Sequence, residues 1–378
     1  MLSRRERLRF VASVSALVLG IVLALVAAHT PKDSVAAGPP GELMRTGPTS
    51  MFARGTLGPA LRALAQPYGV RLGSAVNSEA LLRDPPYAEV LAREFGTVTA
   101  EDAMKWGRLE PSRGVYNWTP ADQLVNFAAR NGQQVYGHTL VWHEATPAWL
   151  TADELPRQEA ADLLSGHITD VVTHFRGKVW AWDVVNEPLE ADGSVRETLW
   201  SRSLGPDYIA QALRLARAAD PSVRLFINDF GIEGVNQKSD ALYAMVQRWR
   251  AAGVPIDGIG FQTHTTTSRG LPRSFVANLK RFAALGLDVA ITEADVRMPL
   301  PVTPDLLETQ AKIYGDAVRA CLAVSQCVSF TVWGFSDRYS WVPTVHADAG
   351  AACVLDADLS PKPAYAALTS AFPMRSAG

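Results

Sequence analysis

The chain has few cysteines and a net charge close to zero, and these two features exclude several classes of protein. The 378 residues include three cysteines, and no CxxC pair or His/Cys cluster has the spacing of a zinc site. The formal net charge is -2, from 36 basic and 38 acidic residues, which gives no sign of the basic patch that nucleic-acid binding needs. No sequence repeat is present, and no GxGxxG motif follows an early strand candidate.

The N-terminal part has the composition of an export segment followed by a linker. Four arginines give it a basic start: Arg4, Arg5, Arg7 and Arg9. The uncharged apolar run over residues 10–28 is long for a secretory signal and near the minimum for a membrane span. Residues 1–28 are therefore predicted to be a signal peptide or a membrane anchor, so that the protein is secreted or held at the membrane. Residues 29–57 are rich in Pro, Gly, Ser and Thr and are predicted to be a linker.

Residues 58–374 alternate between short β-rich runs and amphipathic helical segments. The predicted strands are Val70–Val76, Phe95–Ala100, Gln134–Val141, Val179–Asn186, Arg224–Asp229, Gly258–Thr263, Val289–Ala294 and Val328–Gly334. The helical segments between them include Ala121–Asn131, Asp207–Ala219, Asp240–Ala252, Ser274–Leu285 and Asp305–Leu322. This alternation predicts an α/β domain with parallel strands, and eight units predict a single (β/α)8 TIM barrel. A doubly wound open sheet is the alternative.

Polar and aromatic residues collect where the predicted strands end. They follow seven of the eight strands: Glu101-Asp102, His138 to His143, Asn186-Glu187, Asn228-Asp229, Gln262 to His264, Thr292 to Asp295, and Trp333-Gly334. Active sites of TIM barrels lie at the C-terminal ends of the strands. The pattern therefore predicts an active site built from most of the barrel.

Two glutamates, Glu187 and Glu293, end the predicted fourth and seventh strands within otherwise apolar runs. Hydrolysis of a glycosidic bond needs an acid for the leaving oxygen and a second carboxylate that faces the anomeric carbon. A lone glutamate at a strand end is usually a surface charge or a helix-capping partner, but two of them across one barrel mouth favour catalysis. We expect Asn186 to bind a sugar hydroxyl, and His264 to donate a hydrogen bond to Glu293 and keep it ionised.

Together these motifs resemble glycoside hydrolase family 10, whose typical member is an endo-β-1,4-xylanase. The resemblance covers residues 60 to 372 and rests on Glu101 to Trp106, Glu110 to Gly114, Gly137 to His143, Trp182 to Pro188, Gln262 to His264, Thr292 to Arg297, Trp333 to Trp341 and Lys362 to Tyr365. It implies that Glu187 is the acid/base and Glu293 the nucleophile of a retaining hydrolase. The residues implied to bind sugar are Glu101, Asp102, Lys105, His138, Trp142, Asn186, Gln262, His264, Trp333 and Trp341.

Two positions depart from the family pattern. Asp102 stands where the family usually has asparagine, which removes an amide donor and adds charge beside a glycone subsite. Ala294 stands where leucine is usual, which changes only packing. We expect Asp102 to affect substrate preference and not the class of reaction.

Metal chemistry is the alternative for the histidines of the third strand. His138 and His143 lie five residues apart, which places them on opposite faces of a strand. No HxH motif follows the first strand, and we expect no metal and no cofactor. Three aspartates are predicted to be structural and not catalytic: Asp229, Asp295 and Asp337. Trp333 and Trp341 are either core residues or, as their place after the last strand favours, a stacking wall of the cleft.

The three cysteines leave one pairing to consider. Cys321 ends a helical pattern and Cys327 begins an apolar strand, so the two form either a disulfide or two buried thiols. Export permits disulfides, and the family resemblance implies this bridge. Cys353 is then left over.

The sequence as a whole predicts a monomeric endo-1,4-β-xylanase that cleaves internal bonds of xylan with retention. One alternative is a retaining hydrolase of another β-1,4-glycan. Another is a sugar-binding homologue without activity, although both glutamates are intact.

Overall fold

The computed structural model describes residues 57–373. The predicted signal or anchor, residues 1–28, lies outside the described residues, and so does the predicted linker, residues 29–57, apart from its last residue. None of the helices in the described part of the chain is both long and apolar enough to cross a membrane.

Strands and helices alternate along residues 57–373. The strands are β1 (Arg71–Val76), β2 (Thr97–Ala100), β3 (Gln134–Gly137), β4 (Val179–Asn186), β5 (Arg224–Asp229), β6 (Gly258–Phe261), β7 (His264–Thr266), β8 (Asp288–Pro299), β9 (Cys327–Val332) and β10 (Ala349–Gly350). The α-helices are α1 (Leu61–Ala65), α2 (Ser78–Arg83), α3 (Pro85–Glu94), α4 (Trp106–Leu109), α5 (Thr119–Arg130), α6 (Arg157–His174), α7 (Leu199–Leu204), α8 (Tyr208–Ala219), α9 (Gln237–Ala251), α10 (Phe275–Ala283), α11 (Pro304–Leu322), α12 (Val342–Val345) and α13 (Pro363–Ala371). Short 3₁₀ helices span Gln66–Tyr68, His143–Ala145 and Asp337–Tyr339.

Eight of these strands close into a parallel barrel. Their spatial order is β1, β2, β3, β4, β5, β6, β8 and β9, and β9 pairs back with β1. The short β7 runs parallel to the outer half of β8, and β10 pairs antiparallel with the end of β8. The predicted (β/α)8 TIM barrel is confirmed, and each of the eight predicted strands has a counterpart in it.

The predicted and observed strands differ in length where a strand pairs with segments that are distant in sequence. The third strand was predicted to reach Val141, but β3 ends at Gly137. The N–H groups of Leu140 and Val141 still donate to the carbonyls of Asp183 and Val184, at 3.0 and 3.1 Å, so this segment follows β4 without a regular ladder. The seventh predicted strand is longer than expected, because β7 and β10 extend the pairing of β8.

The barrel interior is filled by large side chains that pack against glycines. Tyr136 and Phe226 belong to a small buried cluster that is separate from the larger core between strands and helices. A Cβ on Gly258 would lie 2.2 Å from the Phe226 ring. Nearer the mouth, a Cβ on Gly260 would lie 2.4 Å from Oδ1 of Asn228. Glycine on β6 therefore makes room for the side chains of β5, one of which reaches the site described below.

The helix before the last strand is fixed at both ends. The hydroxyl of Thr303 caps α11 by accepting a hydrogen bond from the N–H of Leu306, and the first residue of the helix is a proline, whose missing N–H costs nothing there. At its other end, Cys321 forms a disulfide with Cys327 at the start of β9, as predicted. Cys353 is a buried free thiol.

Candidate active site

A cleft of about 790 Å³ opens at the C-terminal ends of the barrel strands. Eleven of the twelve residues predicted for catalysis or sugar binding line it: Glu101, Lys105, His138, Trp142, Asn186, Glu187, Gln262, His264, Glu293, Trp333 and Trp341. Asp102 lines an adjoining cavity of about 440 Å³, which shares Lys105 and Trp142 with the cleft. Eleven of the predicted residues therefore lie together at the barrel mouth, and Asp102 lies beside them.

Glu293 is buried within β8, and both of its carboxylate oxygens have donors. Oε1 accepts a hydrogen bond from Nδ2 of Asn228 at 2.6 Å, and Oε2 lies 3.1 Å from Nε2 of His264. Burial acts to raise the pKa of Glu293, but the His264 hydrogen bond, the nearby His138 ring and the Asn228 amide together hold it below its ordinary value. Glu293 is therefore an ionised, oriented carboxylate.

His264 begins β7 and bridges two carboxylates. Its Nδ1 lies 2.9 Å from Oδ2 of Asp295, and its Nε2 faces Glu293. Burial opposes the charge of the ring, but Asp295 and Glu293 raise the pKa of His264 well above its ordinary value. Both ring nitrogens are then donors. The indole N–H of Trp341 donates to the same Asp295 oxygen at 2.8 Å, which fixes the aspartate and through it the histidine. The predicted contact between His264 and Glu293 is present.

Glu187 follows the last residue of β4, and its backbone turns sharply towards the cleft. Its φ is +54°, in the left-handed region that few non-glycine residues adopt. Its N–H donates to the carbonyl of Asn228 at 2.8 Å, which holds this conformation against β5. The half-buried carboxylate accepts hydrogen bonds at Oε1 from Nε2 of Gln262, at 3.1 Å, and from Nδ2 of Asn186, at 3.3 Å. Its hydrogen-bond partners are therefore neutral amides.

Three side-chain amides join the two glutamates. Nε2 of Gln262 also lies 3.2 Å from Oδ1 of Asn186, and that oxygen accepts a further hydrogen bond from Nδ2 of Asn228 at 2.9 Å. Since Nδ2 of Asn228 also reaches Glu293, one buried network spans β4, β5, β6 and β8. The hydroxyl of Thr292 donates to the remaining Asn228 oxygen at 2.7 Å, which fixes the orientation of this amide. The role of Asn228 was not predicted.

His138 is held by a buried chain that starts inside the barrel. The hydroxyl of Tyr136 donates to Oδ1 of Asp183 at 2.7 Å, and Oδ2 of Asp183 lies 2.9 Å from Nδ1 of His138. Each of His138, Asp183 and Glu293 offers a ligand atom within 4.8 Å of the others. The carboxylate oxygens of Asp183 and Glu293 already have hydrogen-bond partners, so a metal here would displace the partners of Glu293. The other candidate ligand, His143, lies in a 3₁₀ helix outside the cleft.

Aromatic rings form the walls of the cleft. The Trp333 ring packs edge-on against His138 at 5.1 Å, and the Trp341 ring packs against His264 at 5.3 Å. On the other side, the ammonium group of Lys105 lies 4.8 Å from the centre of the Trp142 ring. The predicted stacking wall is therefore at the cleft, although Trp333 is itself largely buried.

Asp102 is tied to cations of its own loop. Its carboxylate pairs with Nε of Arg108 at 2.5 Å and lies 3.8 Å from Nζ of Lys105. The negative charge of Asp102, which the family pattern lacks, is thus balanced by Arg108 and Lys105 beside the cleft. Asp102 also adds to the effects that raise the pKa of Glu101, among which burial is the largest.

The three aspartates predicted to be structural have basic partners. Asp229 pairs with the buried Nζ of Lys238 at 2.7 Å, and burial raises the pKa of Asp229 to about 7. Oδ2 of Asp337 lies 3.0 Å from Nζ of the buried Lys362. Asp295 binds His264, as described above.

The cleft also contains residues that the sequence did not suggest. Phe230, Lys238 and Arg269 line its β5 and β7 side, beside Arg297, which ends the Thr292 to Arg297 motif. Phe230 directly follows the end of β5, so the strand-end rule would have found it. Arg269 lies on a loop beyond β7, where no periodicity or spacing marks it.

This arrangement supplies the groups for acid-assisted displacement at a sugar carbon. An ionised, buried carboxylate and a half-buried carboxylate with neutral partners lie at the mouth of one barrel. A barrel with a pair of strand-end carboxylates is an arrangement that glycosidases use.

Comparison with known proteins agrees with this class. The sequence model of glycosyl hydrolase family 10 matches residues 60–371. An endo-1,4-beta-xylanase of Agaricus bisporus is 44% identical over 307 residues, which cover 81% of this chain and 92% of that protein. The chain belongs to glycosyl hydrolase family 10.

Solved structures agree as well. Native xylanase 10B from Thermotoga maritima has a TM-score of 0.80 and 42% sequence identity, with 83% of this chain and 98% of that chain covered. Xylanase 10B from Thermotoga petrophila RKU-1, in complex with xylobiose, gives the same TM-score and identity and covers 83% of this chain and 97% of its own.

Proposed function

We propose that this protein is an endo-1,4-β-xylanase that hydrolyses internal bonds of xylan with retention of configuration. Glu293 is the nucleophile and Glu187 the acid/base. The observation that carries the proposal is the contrast between their surroundings. Glu293 is buried against a cationic His264 and the Asn228 amide, whereas Glu187 accepts hydrogen bonds from neutral amides at the open mouth.

The proposed reaction has two displacements. In the first, an oxygen of Glu293 forms a bond to the anomeric carbon while the bond to the leaving oxygen breaks, and Glu187 gives its proton to that oxygen. In the second, water attacks the same carbon, its proton returns to Glu187, and the Glu293 carboxylate leaves. Two inversions at one carbon give net retention.

Lys105, His138, Trp142, Gln262, Trp333 and Trp341 are proposed to bind the sugars on either side of the cleaved bond. The sequence relatives that are named endo-1,4-beta-xylanases, and the related structure in complex with xylobiose, support xylan as the substrate. The open cleft at the barrel mouth suits a long chain that passes through it.

The test compares release of reducing ends from xylan and from mixed-linkage glucan by the full chain. NMR follows the anomer that is formed first. We expect preferential cleavage of xylan to short oligosaccharides with the β-anomer as the first product. Glu293→Ala should abolish hydrolysis, whereas Glu197→Ala, an exposed glutamate outside the cleft, should not. Undiminished hydrolysis by Glu293→Ala, α-anomer as the first product, or binding without release of reducing ends would contradict the proposal.

We also propose that residues 1–28 direct export and that the catalytic unit is a monomer. The basic start followed by an apolar run supports export. The two glutamates and the residues proposed to bind sugar meet in one cleft of a single chain, so the site needs no residue from a second copy. N-terminal mass spectrometry of cell and medium fractions tests the first point, and light scattering tests the second. Intact protein in the cytosol, or a dimer at working concentration, would contradict them.

A further inference from the structure

Two arginines on one side of the cleft have guanidinium groups that pair with no residue of the described chain. Arg297 lies on the outer half of β8 and pairs in register with Thr266 of β7. The N–H of Arg269 donates to the hydroxyl of the same Thr266 at 3.0 Å. Both arginines line the cleft. They therefore lie on one rim, on the opposite side of the barrel from Glu101 and Lys105, which follow β2.

Neither guanidinium group has a hydrogen bond or an ion pair with any of residues 57–373. Arg196 provides a contrast near the same mouth. Its guanidinium pairs with Glu190 at 2.9 Å and donates to the carbonyls of Glu187 and Leu189. Arg196 is thus committed to holding the loop, whereas Arg269 and Arg297 keep all their donors free for a ligand.

A side pocket of about 420 Å³ adjoins the cleft at this rim. It shares Arg297 and His346 with the cleft, and hydroxyl groups line much of it: Thr266, Thr267, Ser268 and Thr309. Its size is in the range of small-molecule sites, about 300–1,000 Å³. A branch that points from a glycan chain in the cleft towards this rim would meet a pocket of suitable size with hydrogen-bonding groups for sugar hydroxyls.

The charge of this rim favours an anion. The one acidic side chain of the side pocket is Asp348, which is exposed. The carboxylates of Glu293 and Asp295 nearby are already bound to His264. Two unpaired guanidinium groups against one exposed carboxylate leave a surplus of positive charge. A guanidinium fork binds a carboxylate through two parallel charged hydrogen bonds.

We propose that Arg269 and Arg297 bind the carboxylate of a uronic acid branch on the substrate, and that the branch sugar lies in the side pocket. This inference rests on the proposed function, since it names the decoration of the β-1,4-glycan that the cleft receives. It makes the protein a hydrolase that favours acidic, branched xylan over neutral xylan of the same backbone.

The test uses glucuronoxylan and the same polymer after its carboxyl groups have been reduced to alcohols. The branch is then unchanged in position and size and differs only in charge. We expect the ratio of kcat/KM for the acidic to the neutral polymer to exceed one, and to fall about 10-fold in the double variant Arg269→Gln/Arg297→Gln, as the loss of charged hydrogen bonds predicts. Arg273→Gln is the matched control, since Arg273 is exposed on the same loop and lines neither cavity.

Calorimetry with a short branched product of exhaustive digestion measures binding apart from hydrolysis. Tighter binding of the acidic than of the reduced product, lost in the double variant but kept in Arg273→Gln, supports the inference even if the backbone is not hydrolysed. If both polymers are hydrolysed and the ratio of kcat/KM for the acidic to the neutral polymer is the same in the unaltered protein and the double variant, the inference is overturned. The proposed function then still stands. A thermal scan of each variant confirms that the comparison is made between folded proteins.

Discussion

The two glutamates of the cleft differ more in their surroundings than in their chemistry. Glu293 lies within a strand, is 4% exposed, and has a charged and an amide donor on its two oxygens. Glu187 lies just beyond a strand end, is half-buried, and accepts hydrogen bonds from amides. One barrel mouth thus gives two carboxylates different surroundings, with a charged donor at Glu293 and amide donors alone at Glu187.

The largest effect should come from removing each glutamate in turn. Both Glu187→Ala and Glu293→Ala should lower kcat/KM on xylan by about 10⁴-fold. An aryl xylobioside with an acidic phenol needs no proton on its leaving group, so Glu187→Ala should retain much of its first-step rate with that substrate. Pre-steady-state release of the phenol measures this difference. Equal loss with both variants on the aryl substrate would remove the distinction between the two carboxylates.

Replacement of His264, the charged donor to Glu293, should reduce the difference between the surroundings of the two carboxylates. His264→Asn takes away the hydrogen bond and charge that hold the pKa of Glu293 low, so that pKa should rise. Glu293 would then protonate at a higher pH, and the acidic limb of the kcat/KM profile should move towards neutral pH. At the optimum we expect a loss of about 10²-fold.

The pH profile separates this role from general damage to the fold. A variant that merely unfolds in part would lose activity without moving the acidic limb. An unchanged limb in a folded His264→Asn protein would show that Glu293 does not depend on the histidine for its charge.

A smaller effect should follow from filling the space beside Asn228. In Gly260→Ala, the new Cβ would lie 2.4 Å from Oδ1 of Asn228 and 2.9 Å from Cγ2 of Thr292. The amide must then shift from Glu293, and we expect about a 10-fold loss of kcat with a loss of about 1–3 kcal/mol in the free energy of unfolding. Steady-state kinetics and denaturant unfolding measure the two effects.

Gly166→Ala is the matched control, since Gly166 lies in α6 and a new Cβ would meet nothing within 4 Å beyond its chain neighbours and the nearby backbone of its own helix. It should gain about 0.5–1 kcal/mol and keep its activity, because alanine is the better helix former. If Gly260→Ala behaves in the same way, Asn228 is not held by this packing.

The smallest effect is expected at the position that departs from the family pattern. Asp102→Asn restores an amide but breaks the pair with Arg108, in which both side chains are well exposed. An exposed pair contributes little to stability, about 0–1 kcal/mol. We expect a change of about 2- to 3-fold in KM with kcat unchanged, measured on xylo-oligosaccharides of increasing length. A change in kcat would place Asp102 nearer the reacting bond than the structure does.

The sequence predicted the barrel well where strands are bounded by their own composition. β4 and β5 have the predicted bounds, because each is an apolar run closed by polar residues at the mouth. The length of β8 depends on pairing with β7 and β10, which are distant in sequence or not apparent as strands. Periodicity within one segment contains no information on such partners.

The same limit applies to the site. Glu187, Glu293 and His264 were predicted from their position at the ends of the predicted strands. The bridge through Asn228 needs the register of β5 against β6 and a glycine at Gly260, neither of which a linear pattern reveals. The pairing of Asp102 with Arg108 depends on a loop conformation for the same reason.

The most direct test of the account is to trap the covalent intermediate. A 2-deoxy-2-fluoro xylobioside with a good leaving group should form a long-lived ester, because the fluorine slows both displacements and the good leaving group restores the rate of the first alone. Peptide mass spectrometry should then find one added glycosyl group, on Glu293. A label on Glu187, or hydrolysis with inversion and no label, would contradict the assignment of the two carboxylates.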